Sequence, residues 1–114
     1  MLPLLLRLAQ EGRLKLQTLV ALASATPARL YGLAAKGSIE PGFDADIVLC
    51  DTEATHRLNR WDVQSKCGWS PYEGARIGAF PRAVYLRGEL AAADGKPVGQ
   101  RAGRPATFQW KETR

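Results

Sequence analysis

Histidine is almost absent from this sequence of 114 residues, which contains only His56. Cysteine is scarce as well, since Cys50 and Cys67 stand in different contexts without a Cys-x-x-Cys spacing. A catalytic zinc site needs about three protein ligands, drawn mainly from histidine, cysteine and carboxylates. The shortage argues against a self-contained zinc centre. It also predicts two reduced thiols in a cytoplasmic protein.

Long apolar runs and blocks of like charge are also missing. The run that follows Met1 has no basic region or small-residue cleavage site, so no signal peptide is expected, and it is far shorter than the roughly 20 residues that cross a bilayer. The net charge of +5 comes from scattered cations, which is typical of a solvated surface. We therefore expect neither a membrane nor a nucleic acid as a partner. A nucleic-acid footprint would have to use Arg82, Arg87, Arg101, Arg104, Tyr85 and Phe108, which form no known binding motif.

What the chain does contain suits one small globular domain, with 46% hydrophobic residues. Its first part shows helical periodicity, because apolar residues recur at i, i+3, i+4 and i+7. The residues in that stripe are Leu16, Leu19, Val20 and Ala23. We predict helices over 3–11, 14–25 and 27–31, with Gly12 and Gly32 as stop signals and Thr26 as the N-cap of the third helix.

The chain changes character between Lys36 and Asp51. Pro41-Gly42 is a turn signal, and residues 45–50 form a short β-branched run that predicts a buried strand. Strands and loops are expected from there on. The predicted segments are a second strand over 55–58, a loop over 59–64, a long ordered loop over 65–78, a strand or hairpin arm over 82–92 with a turn at 94–95, an irregular run over 99–104, and a terminal strand or frayed end over 106–114. This order predicts an α+β fold.

Three groupings of side chains are candidate sites of chemistry. A metal trio of His56, Cys50 and Asp51 can be drawn, but a lone histidine in a strand-like stretch is more often structural or exposed. Cys67 stands beside a lysine that favours its thiolate, although His56 is distant as a base. The third grouping, the Asp44 and Asp46 carboxylates, fits turn and strand-start roles better than a paired acid site.

The pattern Gly37-x-Ile39-x-x-Gly42-x-Asp44-Ala45-Asp46-Ile47-Val48 resembles the signature that opens the last part of amidohydrolase-superfamily enzymes. The loop 65–74, Ser-Lys-Cys-Gly-Trp-Ser-Pro-Tyr-Glu-Gly, resembles one near the C-terminus of dihydroorotases in the cyclic amidohydrolase branch. Allantoinases share Lys66, Ser70, Pro71, Tyr72 and Gly74 of that loop. The Gly68-Trp69 pair favours dihydroorotase, and an allantoinase-like segment is the alternative.

The resemblance implies a fold and a function. Residues 1–34 would be the last helices of a (β/α)8 barrel, and residues 35–114 the C-terminal part of a small β-sandwich. Intact relatives are zinc-dependent hydrolases that interconvert dihydroorotate and carbamoyl aspartate in pyrimidine biosynthesis, and their zinc ligands lie on earlier barrel strands. No catalytic, cofactor-binding or metal-binding residue is therefore assigned here. The chain is expected to be structural, and inactive on its own.

The implied partner is the missing N-terminal barrel portion or a homo-oligomer partner. Under this interpretation the chain is a fragment, the product of a split gene or an internal start. We expect Trp69 and Tyr72 to anchor the loop 65–74 by packing, with one aromatic face left bare for docking. The rival interpretation is a stand-alone, non-enzymatic interaction module with open strand edges at 47–50 and 84–86.

Overall fold

The computed structural model of the protein describes residues 1–100 and 103–109. Helices come first and strands follow, so the predicted α+β order is confirmed. The elements are α1 (Leu2–Gln10), α2 (Leu16–Val20), a π-helical turn (Ala21–Ala25), α3 (Thr26–Leu30), β1 (Ile47–Arg57), a short 3-10 helix (Arg60–Asp62), β2 (Arg76–Leu86), β3 (Glu89–Ala93) and β4 (Lys96–Pro97). The segments predicted over 99–104 and 106–114 lie partly outside the described residues; within them, Phe108 forms an isolated bridge with Leu33.

Residues 16–30 form one continuous helix, where the sequence predicted two. The backbone stays right-handed helical at Ala25 (φ −65°, ψ −44°) and at Thr26 (φ −67°, ψ −48°). Thr26 lies inside the helix, so its predicted role as an N-cap is wrong. A proline such as Pro27 removes one hydrogen bond and crowds the preceding turn of a regular α-helix. The π-helical turn just before it changes the hydrogen-bond spacing at that point, and the helix continues to Leu30.

Both predicted glycine stops are confirmed, and both are Schellman motifs. Gly12 has φ +70° and Gly32 has φ +63°, a left-handed conformation that glycine adopts without a Cβ penalty. After α1, the Gly12 and Arg13 amides donate to the carbonyls of Ala9 and Leu8. After α3, the Gly32 and Leu33 amides donate to those of Arg29 and Ala28. These bonds satisfy carbonyls that the helix ends would otherwise leave unpaired.

The four strands form an antiparallel sheet in the order β1-β2-β3-β4. The predicted strands over 45–50 and 55–58 are two halves of β1, separated by an irregularity between Asp51 and Thr55. The Asp51 carboxylate accepts hydrogen bonds from the amides of Glu53 and Ala54. This local turn interrupts the alternation of the strand, which is why the sequence indicated two strands.

The second long strand was only half predicted. β2 begins at Arg76, inside the segment expected to be loop, and the predicted arm over 82–92 is the second half of β2 together with most of β3. Arg87 (φ 52°) and Gly88 (φ 82°) form the tight turn between them, and the predicted turn at Asp94-Gly95 joins β3 to β4. β2 pairs with strands on both sides, so the open edge expected at 84–86 is wrong. The edge at 47–50 is real, because β1 is an outer strand.

The core is thin and lies where the helices meet β2. Leu6 of α1, Leu19 of α2 and Ala79 of β2 form its buried cluster. Helix α1 approaches β2 so closely at Gly78 that a Cβ there would lie 2.8 Å from the Cα of Arg7. Within the described residues, five hydrophobic side chains are buried: Leu6, Leu19, Ala28, Ile77 and Ala79.

Candidate functional site

The candidate metal trio is not assembled. Asp51 is bound by the Arg82 guanidinium, with 3.0 Å between Nη2 and Oδ2, and the His56 Nε2 lies 2.7 Å from Asp62 Oδ2. Cys50 packs against the core, and burial raises the pKa of its thiol. Throughout residues 1–100 and 103–109, no group of three or more His, Cys, Asp and Glu side chains is placed to hold a metal ion.

His56 has a structural partner at the base of a loop. Asp62 accepts a hydrogen bond from the Asn59 amide at 2.8 Å, and the Asn59 side chain accepts one from the Trp61 amide at 2.9 Å. The Asn59 amide, and then His56, hold the pKa of Asp62 below its ordinary value. The His56 ring also meets Phe80 edge to face, with centroids 5.8 Å apart. His56 therefore helps to fix the entrance of the loop.

Cys67 is an exposed free thiol in the loop that joins the 3-10 helix to β2. Its Sγ lies 2.9 Å from Ser65 Oγ and donates towards the Trp69 carbonyl at 3.5 Å. The hydrogen bond with Ser65 lowers the pKa of the thiol. The hydrogen bonds of Cys67 go to Ser65 and to the Trp69 carbonyl, and neither involves His56 as a base.

The loop between the 3-10 helix and β2 is closed by backbone bonds. The Leu58 amide donates to the Ala75 carbonyl at 2.9 Å, and the Gly74 amide donates to the Leu58 carbonyl at 2.7 Å. Trp69 is 62% exposed and Tyr72 is 52% exposed. The prediction that these two rings anchor the loop by packing is wrong, since each side chain is more than half exposed. They are bare aromatic surface instead.

Asp44 and Asp46 are not a paired acid site. Both carboxylates bind the Lys36 ammonium, Asp44 at 2.8 Å. The contact with Lys36 lowers the pKa of Asp46, and the two carboxylates, Asp44 first, raise the pKa of Lys36. Lys36 and Asp46 are therefore charged at neutral pH. Sequence reasoning missed Lys36, because its partners lie neither at helical spacing nor on a shared strand.

A small cleft lies between α1 and the sheet. It has a volume of about 240 Å³, below the roughly 300 Å³ at which ligand pockets usually begin. The Arg7 guanidinium, which comes from α1, donates hydrogen bonds to the Glu11 carboxylate and to the Arg76 carbonyl. The cleft is lined by Arg7, Gln10, Glu11, Thr55, Arg76, Ile77 and Gly78, and it offers no free catalytic group.

The feature with the clearest functional potential is an apolar surface on the long helix. Residues 16–28 include no charged side chain, and Leu16, Val20 and Leu22 are exposed. On a helical wheel with 100° per residue, Leu16 and Val20 lie on one side of the buried Leu19, and Leu22 lies on the other side. The apolar surface of the helix is therefore wider than the part that is buried in the core. A face this wide and uncharged is typical of a helix that packs against protein, and large exposed apolar patches mark interaction sites.

The outer strand β1 also carries exposed apolar side chains. Val48 and Leu49 of β1 are exposed, and β1 pairs with another strand along only one side. In the described part of the chain, no helix is both long and apolar enough to cross a membrane. The exposed apolar side chains of the helix and of β1 are surface of the kind that binds protein, and residues 1–100 and 103–109 contain no cluster that could hold a catalytic metal ion.

Comparison with known proteins gives a consistent family. The amidohydrolase family model matches residues 1–79. A dihydroorotase of Halobacterium salinarum is 38% identical over 106 residues, which cover 87% of this chain and 25% of the relative. A D-hydantoinase of Ralstonia pickettii is 37% identical over 91 residues, which cover 79% of this chain and 20% of the relative.

Solved structures agree with the sequence relatives. A D-hydantoinase matches with a TM-score of 0.79 and 34% identity over 87% of this chain and 22% of its own. The L-hydantoinase (dihydropyrimidinase) from Arthrobacter aurescens matches with a TM-score of 0.81 and 28% identity over 86% of this chain and 22% of its own. The chain spans a fifth to a quarter of the length of the curated relatives it matches.

Proposed function

The chain belongs to the amidohydrolase family, and on that premise we propose that it is the C-terminal portion of a dihydroorotase-like cyclic amidohydrolase. The intact enzyme would open the ring amide of dihydroorotate. The observation that carries this proposal is the exposed, uncharged face of the helix 16–30, which needs a partner surface. The relatives are four to five times longer than the matched region, so the partner is the remainder of such an enzyme.

The contribution of this chain is structural. Family members of this kind use zinc, but the described residues do not fit a zinc site, because His56 and Asp51 are occupied by Asp62 and Arg82. No step of hydrolysis is therefore assigned to them. In this proposal, residues 1–34 complete a barrel and residues 35–114 contribute to a β-sandwich.

The thin core supports a chain that is completed by a partner. Five buried hydrophobic side chains in the described region remove little apolar area from water for a domain of this length. Burial of apolar surface stabilises by about 25 cal/mol per Å², so docking of the helix face would add substantially to stability. Two free cysteines support a cytoplasmic location.

The proposed substrate is inferred from the sequence of one loop. The Gly68-Trp69 pair in the loop favours dihydroorotate, while both dihydroorotases and D-hydantoinases are relatives at similar identity. Hydrolysis of dihydroorotate, hydantoin and allantoin should be measured side by side. A preference for hydantoin or allantoin would replace the dihydroorotase assignment and leave the cyclic amidohydrolase assignment in place.

A second candidate function is a stand-alone interaction module. It is favoured by the open edge of β1, where Val48 and Leu49 are exposed, because an unpaired strand can accept a strand from another protein. The irregularity between Asp51 and Thr55 interrupts that edge and shortens the length available for pairing. A module of this kind would act without any barrel portion.

Reconstitution tests the proposal. The chain is co-expressed with the barrel portion encoded upstream in its own genome, and we expect the two to copurify and to hydrolyse dihydroorotate. Val20→Glu should abolish copurification by placing a charge on the docking face. Val98→Glu, the same substitution at an exposed valine that lies just after β4 and off the helix, is the matched control and should retain it.

Two results would contradict the proposal. One is a genome without any such barrel portion, in the same reading frame or upstream. The other is a barrel portion that is active without this chain and does not bind it, which would favour the interaction module.

A further inference from the structure

Three separate parts of the chain meet around Lys36. The Lys36 ammonium binds the carboxylates of Asp44 and Asp46. The second oxygen of Asp46 accepts a hydrogen bond from the Arg87 amide at 2.8 Å, and the Gly88 amide donates to the Ala45 carbonyl at 3.0 Å. The residues after the helix, the entry to β1 and the β2–β3 turn are thus joined.

The turn at Arg87-Gly88 depends on these contacts. Arg87 has φ 52°, a left-handed conformation that costs a non-glycine residue roughly 1 kcal/mol or more. In this position its amide points at Asp46. A carboxylate that accepts a backbone N–H forms a charge-assisted bond, which is stronger than a neutral one, and this bond offsets the strain of the turn.

On its other side, Lys36 is tied to the long helix through its neighbour. Gly37 has φ +93°, and a Cβ there would lie 2.6 Å from the Cβ of Ala28 and 3.0 Å from the Ser24 carbonyl oxygen. Residue 37 therefore presses directly on the helix. A continuous path of contacts runs from the helix through Gly37 and Lys36 to Asp46 and the β2–β3 turn.

The ion pair between Lys36 and Asp46 is less exposed to solvent than the other ion pairs of the described residues. The side chains of Lys36 and Asp46 are 29% and 28% exposed, whereas those of Arg82 and Asp94 in another ion pair are 56% and 71% exposed. Exposed ion pairs contribute little because water and salt screen them. The Lys36–Asp46 pair is the least exposed ion pair within residues 1–100 and 103–109, and it also fixes a backbone amide.

We propose that Lys36 and Asp46 are positioning residues that set the orientation of the helix 16–30 relative to the sheet. Lys36 holds the two aspartates beside the helix, and Asp46 passes that constraint to the β2–β3 turn. In consequence the helix face and the edge of β1 are presented as one surface of fixed shape. This role belongs to the chain itself, and its importance for assembly rests on the proposed function.

Amide hydrogen exchange by NMR tests the role in the 114-residue chain. Asp46→Ala removes both the acceptor and the charge, and we expect exchange at the Arg87 amide to rise about tenfold or more, as for the loss of a charged hydrogen bond. Asp46→Asn keeps an acceptor oxygen and should retain most of the protection. Arg82→Met breaks the exposed ion pairs of the sheet instead, and should leave exchange at Arg87 unchanged.

The orientation of the helix 16–30 relative to the sheet is measured in a separate experiment. Residual dipolar couplings should show the helix 16–30 changing its angle to the sheet in Lys36→Met and staying fixed in Arg82→Met. Unchanged couplings in Lys36→Met would overturn the proposal, as would an Arg87 amide that is unprotected in the native chain. Failure of the chain to bind a barrel portion would overturn only the proposed function, because these measurements do not use that partner.

Discussion

The two ends of the β1–β2 ladder are completed in different ways. At one end, where Ile47 pairs with Tyr85, the neighbouring charges are paired with one another and the next turn is tied down by Asp46. At the other end, where Arg57 pairs with Arg76, the chain opens into a loop whose aromatic rings lie in solvent. The first end is satisfied by the chain itself, while the second leaves aromatic surface exposed.

The loop end is nevertheless held firmly at its base. The Leu58 backbone bonds to Gly74 and Ala75 close the loop, and α1 packs against the same end of β2. The difference between the ends is therefore one of side chains. Backbone bonds fix both, and each end holds a paired carboxylate, Asp46 with Lys36 and Asp62 with His56, but only the loop end leaves two aromatic rings exposed. A loop can thus be well positioned by its backbone and still leave apolar side chains exposed.

The largest expected effect comes from separating α1 from the loop end of the sheet. Gly78→Ala would place a methyl group 2.8 Å from the Cα of Arg7, a backbone atom that cannot move alone. We expect the free energy of unfolding to fall by about 2 to 3 kcal/mol, in the range of overpacked cores, as measured by urea denaturation. Gly103→Ala meets no atom within 4 Å and is the control, with a change within about 0.5 kcal/mol. Equal stability of the two variants would mean that α1 does not pack on β2 as described.

The sequence predicted the local features of this molecule well. Both helix stops depend on glycines that act within one turn, and the Asp94-Gly95 turn depends on two adjacent residues, so each could be recognised without tertiary structure. The continuous β1 was missed because Asp51 bonds to amides of its own strand. Gly78 was missed because the helix that approaches it lies far away in the sequence.

The candidate site was harder to predict for the same reason. The apolar stripe of the helix was visible, but which of its residues stay exposed depends on how α1 and β2 cover it. The sequence predicts that Trp69 and Tyr72 pack, but nothing in the loop sequence distinguishes a ring that packs from a ring that stays exposed. Lys36 is eight and ten residues away from Asp44 and Asp46, and only the fold brings the three side chains together.

At low pH we expect a loss of stability of intermediate size. This loss allows the two ends of the β1–β2 ladder to be compared directly. Lys36 lowers the pKa of Asp46 at one end, and the Asn59 amide, with His56, lowers the pKa of Asp62 at the other, from an ordinary value of 3.8. A carboxylate with a lowered pKa stabilises the folded state above its unfolded value, and that stability is lost as the pH falls through the folded value. The chain should therefore lose stability below about pH 3.8. Asp46→Asn and Asp62→Asn should each flatten that loss in urea titrations from pH 6 to pH 2. A loss unchanged in both variants would assign the acid sensitivity to other carboxylates.

The smallest effect on the chain alone is expected from Trp69→Ala. The ring is more than half exposed, so its removal takes away little buried area, and the free energy of unfolding should change by no more than about 0.5 kcal/mol. If the loop end is the unfinished one, the same variant should weaken copurification with the barrel portion, because a bare aromatic ring at an interface often carries much of the binding energy. Leu90→Ala is the matched control, since Leu90 is an exposed apolar residue on β3, away from the loop, and it should leave copurification intact. A Trp69→Ala chain that binds as tightly as the native one would show that this loop is not part of the docking surface, and the helix face would then have to account for assembly without it.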